Sequence, residues 1–417
     1  MSEKGVVVEP KKAHGAQKAD QKAEVVPGFG TFEGVFTPNV LTILGVIMFL
    51  RFGQVVGQSG VLDAVMIVLC AKLITSLTAV SLAGIATNTR VQGGGAYFLI
   101  SRSLGVEFGG AIGVVFYLAQ AISVAMYTIG FTEAFVQTFP SMEPVRLAVA
   151  TTINVIVFFC VFIGAAWTIK IQFAILGLLA LSLLSFFIGG MLNFSPATLA
   201  TNWSPGYTPG ESMFTMFALF FPAATGIMAG ANMSGDLKDP AKSLPVGTFA
   251  AIGTTAFIYL AIVVLLGGTA DRETLLTNNF VMMDVALVAV LITVGVFAAT
   301  LSSALGSMMG APRILQALAK DGIFPSLSPF AKGSGIANEP RYATALTFLV
   351  AQIAIMSADL DLIAPVITMF FLVTYGMLNL ACFYEGYSHN TSFRPKFRLS
   401  HWSVSLAGAI GCGIAML

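Results

Sequence analysis

The sequence predicts an all-α polytopic membrane protein, built from two five-span repeats of opposite topology that each begin with a span broken in mid-membrane. Three observations carry this expectation. The 417 residues are 56% hydrophobic and only 10% charged, and apolar runs repeatedly reach the roughly 20 residues that cross a bilayer. The run at 220–240, FFPAATGIMAGANMSGDLKDP, is interrupted by Pro222, Thr225, Gly226 and Gly230. A comparable step, from Thr42 through Gly45 to Met48, lies in the first apolar run, five spans earlier. Paired interrupted helices in corresponding positions are the sequence mark of an inverted repeat.

Composition removes several function classes. A net charge of +1 argues against nucleic acid or acidic substrates as partners. Cys70, Cys160, Cys382 and Cys412 fall inside apolar segments without metal-type spacing, so neither a disulfide framework nor a zinc site is expected. No HExxH, GxSxG or P-loop pattern occurs, and an enzyme is not expected. No cofactor is expected either.

In chain order, residues 1–29 carry Lys4, Lys11, Lys12, Lys18 and Lys22 without an apolar core, and read as a disordered cytoplasmic tail. A ten-span core follows over 30–401, its repeats covering about 36–193 and 212–384. Spans are expected near 36–58, 61–86, 108–138, 147–166 and 171–193, then 212–235, 246–268, 283–310, 342–356 and 362–384. Residues 402–417 look like an incomplete eleventh span. With the N-terminus inside, the tail lysines join Arg90, Arg102, Lys170, Lys238, Lys242, Arg313, Lys320, Lys332, Arg341, Arg394, Lys396 and Arg398 on the cytoplasmic face. Only Arg51, Arg146 and Arg272 fall outside. This asymmetry sets the orientation.

The break in the sixth span has a physical reading. Backbone left unpaired in hydrocarbon costs several kcal/mol, so unwound backbone survives only where protein or a watery cavity covers it. Amides at the start of the second half-helix then suit anions, and freed carbonyls suit cations. Taken alone, the pattern fits a Pro-kinked packing helix equally well. Other polar residues inside spans have the same double reading. Ala299-Thr300-Leu301-Ser302-Ser303 offers hydroxyls and carbonyls for a small oxygen cage, or ordinary back-bonded hydroxyls. Tyr127 and Tyr375 are phenols within apolar runs, and a buried phenol finds a partner, whether an ion or a carbonyl. Lys72 is the costliest residue, at about 2.5 to 3.5 kcal/mol for a cation at a helix centre. It shares a helix face with Thr75, Ser76, Ala79 and Ala83, so it is expected to face the bundle, as a fixed charge in place of a transported cation that would modify selectivity, as a proton carrier, or simply reaching water along a vestibule.

Five stretches resemble the cation–chloride cotransporters of the amino acid/polyamine/organocation superfamily, from about residue 34 onward. They are GVIMFLRFGQVVGQSG (45–60), IATNTRVQGGGAYFLISRSLGVEFGG (85–110), SVAMYTIGFTEAF (123–135), the 220–240 segment, and ATLSSALGSMMGAPRILQALAKDGIF (299–324). The resemblance implies a five-plus-five inverted-repeat transporter fold with broken spans 1 and 6. It also implies ion sites, alkali cations being the only metals. Potassium would meet the hydroxyls of Tyr127 and Thr225 and the carbonyls of Pro222, Thr42 and Ile43. One chloride would meet the amides of Gly45, Val46 and Ile47. The other would meet those of Gly226, Ile227 and Met228 with the Tyr375 hydroxyl. Sodium would meet carbonyls of Leu41, Leu44 and Ala299 with the hydroxyls of Ser302 and Ser303.

The double serine resembles the sodium-coupled branch, and Tyr127 the potassium-carrying branches. The expected function is therefore symport of chloride with sodium and/or potassium by an integral protein of the cell membrane, in contact with lipid and without nucleic acid. One sodium, one potassium and two chlorides would sum to zero charge, leaving the membrane potential no hold on transport. Thr42 and Leu44 depart from the asparagine and tryptophan of the sodium–potassium–chloride carriers, and Lys72 is foreign to that pattern. The family's twelfth span and large cytoplasmic C-terminal domain, which carries much of its dimer contact, are not in the sequence, so a homodimer stays open. The competing readings are an amino-acid permease of the same superfamily and a transport-inactive sensor subunit. A channel lacks support because nothing resembles a filter loop.

Overall fold

In the computed structural model the described residues are 28–88, 94–163, 165–335, 338–388 and 392–417. The expected N-terminal tail lies outside them except for Gly28 and Phe29. Phe29 forms an isolated bridge with Leu237, its amide donating to the Asp236 carbonyl at 2.8 Å. Arg90 and Gly93, within the 89–93 stretch, also lie outside.

Nine helices among the described residues are long and apolar enough to cross a membrane. They are span 1 (Phe32–Leu50), span 2 (Phe52–Asn88), span 3 (Val106–Thr138), span 4 (Pro140–Ile163), span 5 (Lys170–Leu192), span 6 (Met213–Asn232), span 7 (Pro240–Thr269), span 8 (Ala289–Lys320) and span 10 (Leu360–Tyr387). Arg341–Ser357 supplies the shorter span 9, and Trp402–Ile414 a final short apolar helix. The chain is an all-α polytopic integral membrane protein. The described residues contain two isolated bridges and no named strand.

Local chemistry explains the boundaries. Asp239 caps span 7 through the Lys242 amide at 3.2 Å, with Pro240 in the first turn where its missing amide costs nothing. Asp359 caps span 10 through Leu362 at 2.9 Å. Ser212 and Thr215 form a reciprocal capping box at the start of span 6. Gly60, at φ 64° and ψ 178°, breaks the helix Phe52–Asn88 near its start, close to the expected boundary between the first and second spans. A Cβ there would lie 2.4 Å from the Ser204 carbonyl oxygen, so only glycine fits.

Spans 1 and 6 occupy the centre. Within its apolar window span 1 is 83% buried, against 22% for span 4, which therefore stands at the periphery. Span 3 packs along span 8, span 5 along span 8, and span 2 along span 7. Both central spans break. Span 1 is helical over Thr37–Ile43, turns out of the helix at Leu44 (φ −79°, ψ 53°) and extended Gly45 (φ −95°, ψ −154°), then resumes at Val46–Leu50. In span 6 the α-helix stops at Phe220, and Phe221–Met228 is a 3-10 helix before α-structure returns at Ala229–Asn232. The expectation of open, unwound backbone there is corrected to a tightened one: Pro222 withholds an amide, and the chain answers with shorter-range hydrogen bonds.

Candidate functional site

The two breaks meet. A Cβ on Gly226 would lie 2.6 Å from the Ile43 amide nitrogen and 2.9 Å from the Thr42 carbonyl carbon. The absence of a side chain at 226 therefore lets the backbones of spans 1 and 6 touch at membrane depth. Asn39 reinforces the junction, its Oδ1 accepting from the Gly230 amide at 2.8 Å and its Nδ2 donating to Thr248 Oγ1 at 3.3 Å.

Beside this junction is a small cavity of about 10 Å³, room for the centre of roughly one water-sized particle. Thr42 lines it from span 1, Gln120, Ser123 and Tyr127 from span 3, Thr225, Gly226 and Ala229 from span 6, Gly306 and Ser307 from span 8, and Phe371 from span 10. Its lining contains hydroxyls and an amide but no charged side chain. Thr225 Oγ1 donates to the Pro222 carbonyl at 2.8 Å, and Thr42 Oγ1 to the Pro38 carbonyl at 2.7 Å. Both hydroxyl oxygens keep lone pairs for a cation.

The expected cation residues thus divide. Thr42, Tyr127 and Thr225 come to one cavity. The Ile43 carbonyl instead accepts from Tyr259 Oη at 2.5 Å, which also lies 3.0 Å from the Ala223 carbonyl. Tyr259 is a phenol in the apolar run of span 7, the same signal that singled out Tyr127 and Tyr375. On the serine pair, Ser303 Oγ donates to the Leu41 carbonyl at 3.0 Å, which joins span 8 to span 1. Ser302 is buried and its Oγ has no hydrogen-bond partner among the described residues. A Cβ on Gly45 would sit 3.2 Å from Ser303 Oγ and 3.3 Å from Tyr127 Cε1, so the span 1 break adjoins both groups. Leu44 and Ala299 are buried beside the same elements.

Among the residues expected to meet chloride, Gly45 precedes the first turn of Val46–Leu50, where Val46 and Ile47 lie. Gly226, Ile227 and Met228 fall inside the 3-10 segment. Tyr375 reaches the same segment, but its hydroxyl donates to the Thr225 carbonyl. Lys72 faces the bundle, as its helix face predicts: Nζ donates to Thr255 Oγ1 at 2.8 Å and stands 5.0 Å over the Tyr259 ring. It does not line the small cavity. Its link to the site runs through the Tyr259 ring.

Each end of the site has a charged closure that sequence reading did not single out. At one end, Arg51 Nε bonds Asp361 Oδ1 at 2.7 Å, and its two terminal nitrogens bond Glu133 at 2.8 and 3.1 Å. A guanidinium fork across two carboxylates joins span 1 to spans 3 and 10. Asp361 is 63% exposed, so the Glu133 pair carries most of the energy. Replacing Arg51 by Gln leaves Glu133 without its charged partner. The expected cost is about 1.5 to 3 kcal/mol, seen as a lowered thermal midpoint of the detergent-solubilised protein; an unchanged midpoint would show the fork to be energetically idle. At the opposite end, a vestibule of about 260 Å³ is crossed by Arg313 with Asp236 at 3.0 Å and by Arg102 with Asp321 at 2.9 Å.

The amino acid permease family model matches residues 34–417. Solute carrier family 12 member 1 of Homo sapiens is 39% identical, over 96% of this chain and 41% of its own. Solute carrier family 12 member 2 of Mus musculus is 38% identical, over 93% of this chain and 37% of its own. The chain thus spans about two fifths of the length of these relatives. A solved structure described as the substrate-bound outward-open state of a Na+-coupled sialic acid symporter is similar at a TM-score of 0.61 and 12% identity, covering 92% of this chain and 88% of that one. At that identity the likeness concerns the fold.

Proposed function

Since the chain belongs to the amino acid permease family and, within it, to the cation–chloride cotransporters of solute carrier family 12, we propose that it is a secondary active symporter carrying chloride with sodium and/or potassium by alternating access. The observation that carries this reading is the size and lining of the central cavity. A space of about 10 Å³ walled by the oxygens of Thr42, Tyr127 and Thr225 suits one dehydrated monatomic ion. An amino acid, with its carboxylate, amine and side chain, does not fit that volume.

In this reading potassium is held by Tyr127, Thr225 and Thr42, with backbone oxygens of Ile43 and Pro222 completing its shell. Sodium is held by Ser302 and Ser303 with carbonyls of Leu41, Leu44 and Ala299. Ser302 Oγ, buried and unpartnered, is a ready ligand for a hard cation. Chloride is held by amides of Gly45, Val46 and Ile47, and by those of Gly226, Ile227 and Met228 with Tyr375. Lys72, beside Tyr259, adds a positive field behind the Ile43 and Ala223 carbonyls that disfavours cations and favours chloride. The protein lies in the cell membrane with its N-terminus in the cytoplasm, a reading supported by the distribution of basic residues.

Tracer uptake into proteoliposomes tests the reading. Saturable chloride uptake is expected, and saturable amino-acid uptake indifferent to chloride would contradict it. Within the same assay Tyr127→Phe, which deletes one oxygen from the cavity, is expected to raise the potassium concentration for half-activation at least tenfold, about 1.4 kcal/mol. Unchanged potassium activation would remove Tyr127 from the site.

A further inference from the structure

Asn232 ends the helical turn Ala229–Asn232 of span 6, between the central cavity and the vestibule. Ala229, three residues earlier, lines the cavity, whereas Asn232 lines the vestibule. Its side chain is 2% exposed, and its Oδ1 has no hydrogen-bond partner among the described residues. Two glycines make room for this amide. A Cβ on Gly95, which sits at φ +55°, would lie 2.2 Å from Oδ1, and one on Gly310 would lie 2.7 Å from Nδ2. The amide is wedged between two neighbouring helices, with an acceptor that the protein leaves unmet.

The chemistry of that acceptor selects its ligand. An amide oxygen offers two lone pairs and no proton, so it repels anions and suits hard cations. The nearest acidic residue along the chain, Asp236, is engaged by Arg313 at 3.0 Å. A neutral oxygen beside an already neutralised carboxylate suits a singly charged ion held weakly, which an ion in transit must be if it is to leave.

We propose that Asn232 Oδ1 is a transit site for a partly hydrated alkali cation, placed between the central cavity and the inner vestibule. The proposal extends the symport reading to the ion's passage on the inner side, and its test is separable from that reading. Crystals of the full chain grown in rubidium chloride report the cation by anomalous scattering. A rubidium peak is expected in contact with Asn232 Oδ1, lost in Asn232→Leu and retained in Asn232→Asp, which keeps an oxygen should the leucine variant fail to fold. No anomalous peak in the wild type, an ordered water only, or a peak that survives Asn232→Leu would overturn the transit site. A peak at Thr225 and Tyr127 with none at Asn232 overturns this inference and spares the central cation site. A peak at Asn232 with none at the centre does the reverse.

Discussion

Gly226→Ala is expected to abolish transport while leaving the protein inserted and monodisperse in detergent. The added methyl would fall 2.6 Å from the Ile43 amide nitrogen and 2.9 Å from the Thr42 carbonyl carbon, both backbone atoms that cannot swing aside. The two central spans must separate locally, at a cost of roughly 1 to 3 kcal/mol for overpacking. That separation also dismantles the cavity, since Thr42 and Gly226 form adjoining parts of its wall. Gly253→Ala in span 7 is the control, because a Cβ there meets nothing within 4 Å. Chloride uptake should fall to background in the first variant and stay at the wild-type rate in the second. Full-rate uptake by Gly226→Ala would mean that the junction of spans 1 and 6 is not where ions pass.

The second large effect is expected at the serine pair of span 8. Ser302→Ala with Ser303→Ala should eliminate stimulation by sodium, and Ser302→Ala alone should weaken it at least tenfold, about 1.4 kcal/mol. The single variant is the more informative. Ser303 also joins span 8 to the Leu41 carbonyl, so its loss loosens the packing whatever it binds. Ser302 Oγ bonds to no protein group among the described residues, and removing it relieves a buried unpaired oxygen. A purely structural role therefore predicts equal or greater thermal stability with sodium dependence intact. A sodium ligand predicts that dependence to be lost. Sodium activation curves of the two variants, measured beside their melting midpoints, distinguish these outcomes, and retained stimulation in the double variant would dismiss the site.

Much of the fold was legible because hydrocarbon imposes simple rules on sequence. Apolar run length placed the spans, and Pro222 with Gly226 marked where a helix cannot continue unchanged. Gly60 fell between the expected first and second spans. What the break becomes was not legible, since a proline within a glycine-rich run permits open coil and 3-10 turns alike; packing against Ile43 and Tyr259 decides between them. Thr42, Tyr127 and Thr225 could be paired from sequence only through a family resemblance, because they come from three different spans. Gln120 and Ser123 were recoverable, since they lie seven and four residues before Tyr127 and therefore share its helix face. Tyr259 was equally recoverable as a phenol in an apolar run. The fork of Arg51 with Glu133 and Asp361 was not, because each residue sits at a span end where charge is ordinary, and only tertiary structure joins them.

Lys72 shows how position alters meaning. Sequence presents a costly cation at a helix centre, with either a transport role or a route to water. In the structure it is 5% exposed, bonded to Thr255, and over a tyrosine whose hydroxyl spans carbonyls of both broken helices. In the proposed reading its influence on ions is electrostatic and indirect, since it stacks on Tyr259 and does not line the cavity.

The most direct measurement of the central claim is chloride flux into proteoliposomes with sodium and potassium withdrawn one at a time, at two clamped membrane potentials. Coupled symport through the sites described predicts loss of flux when either cation is removed, and no change between the two potentials. Chloride flux that ignores both cations, or its absence while an amino acid is taken up, would contradict it.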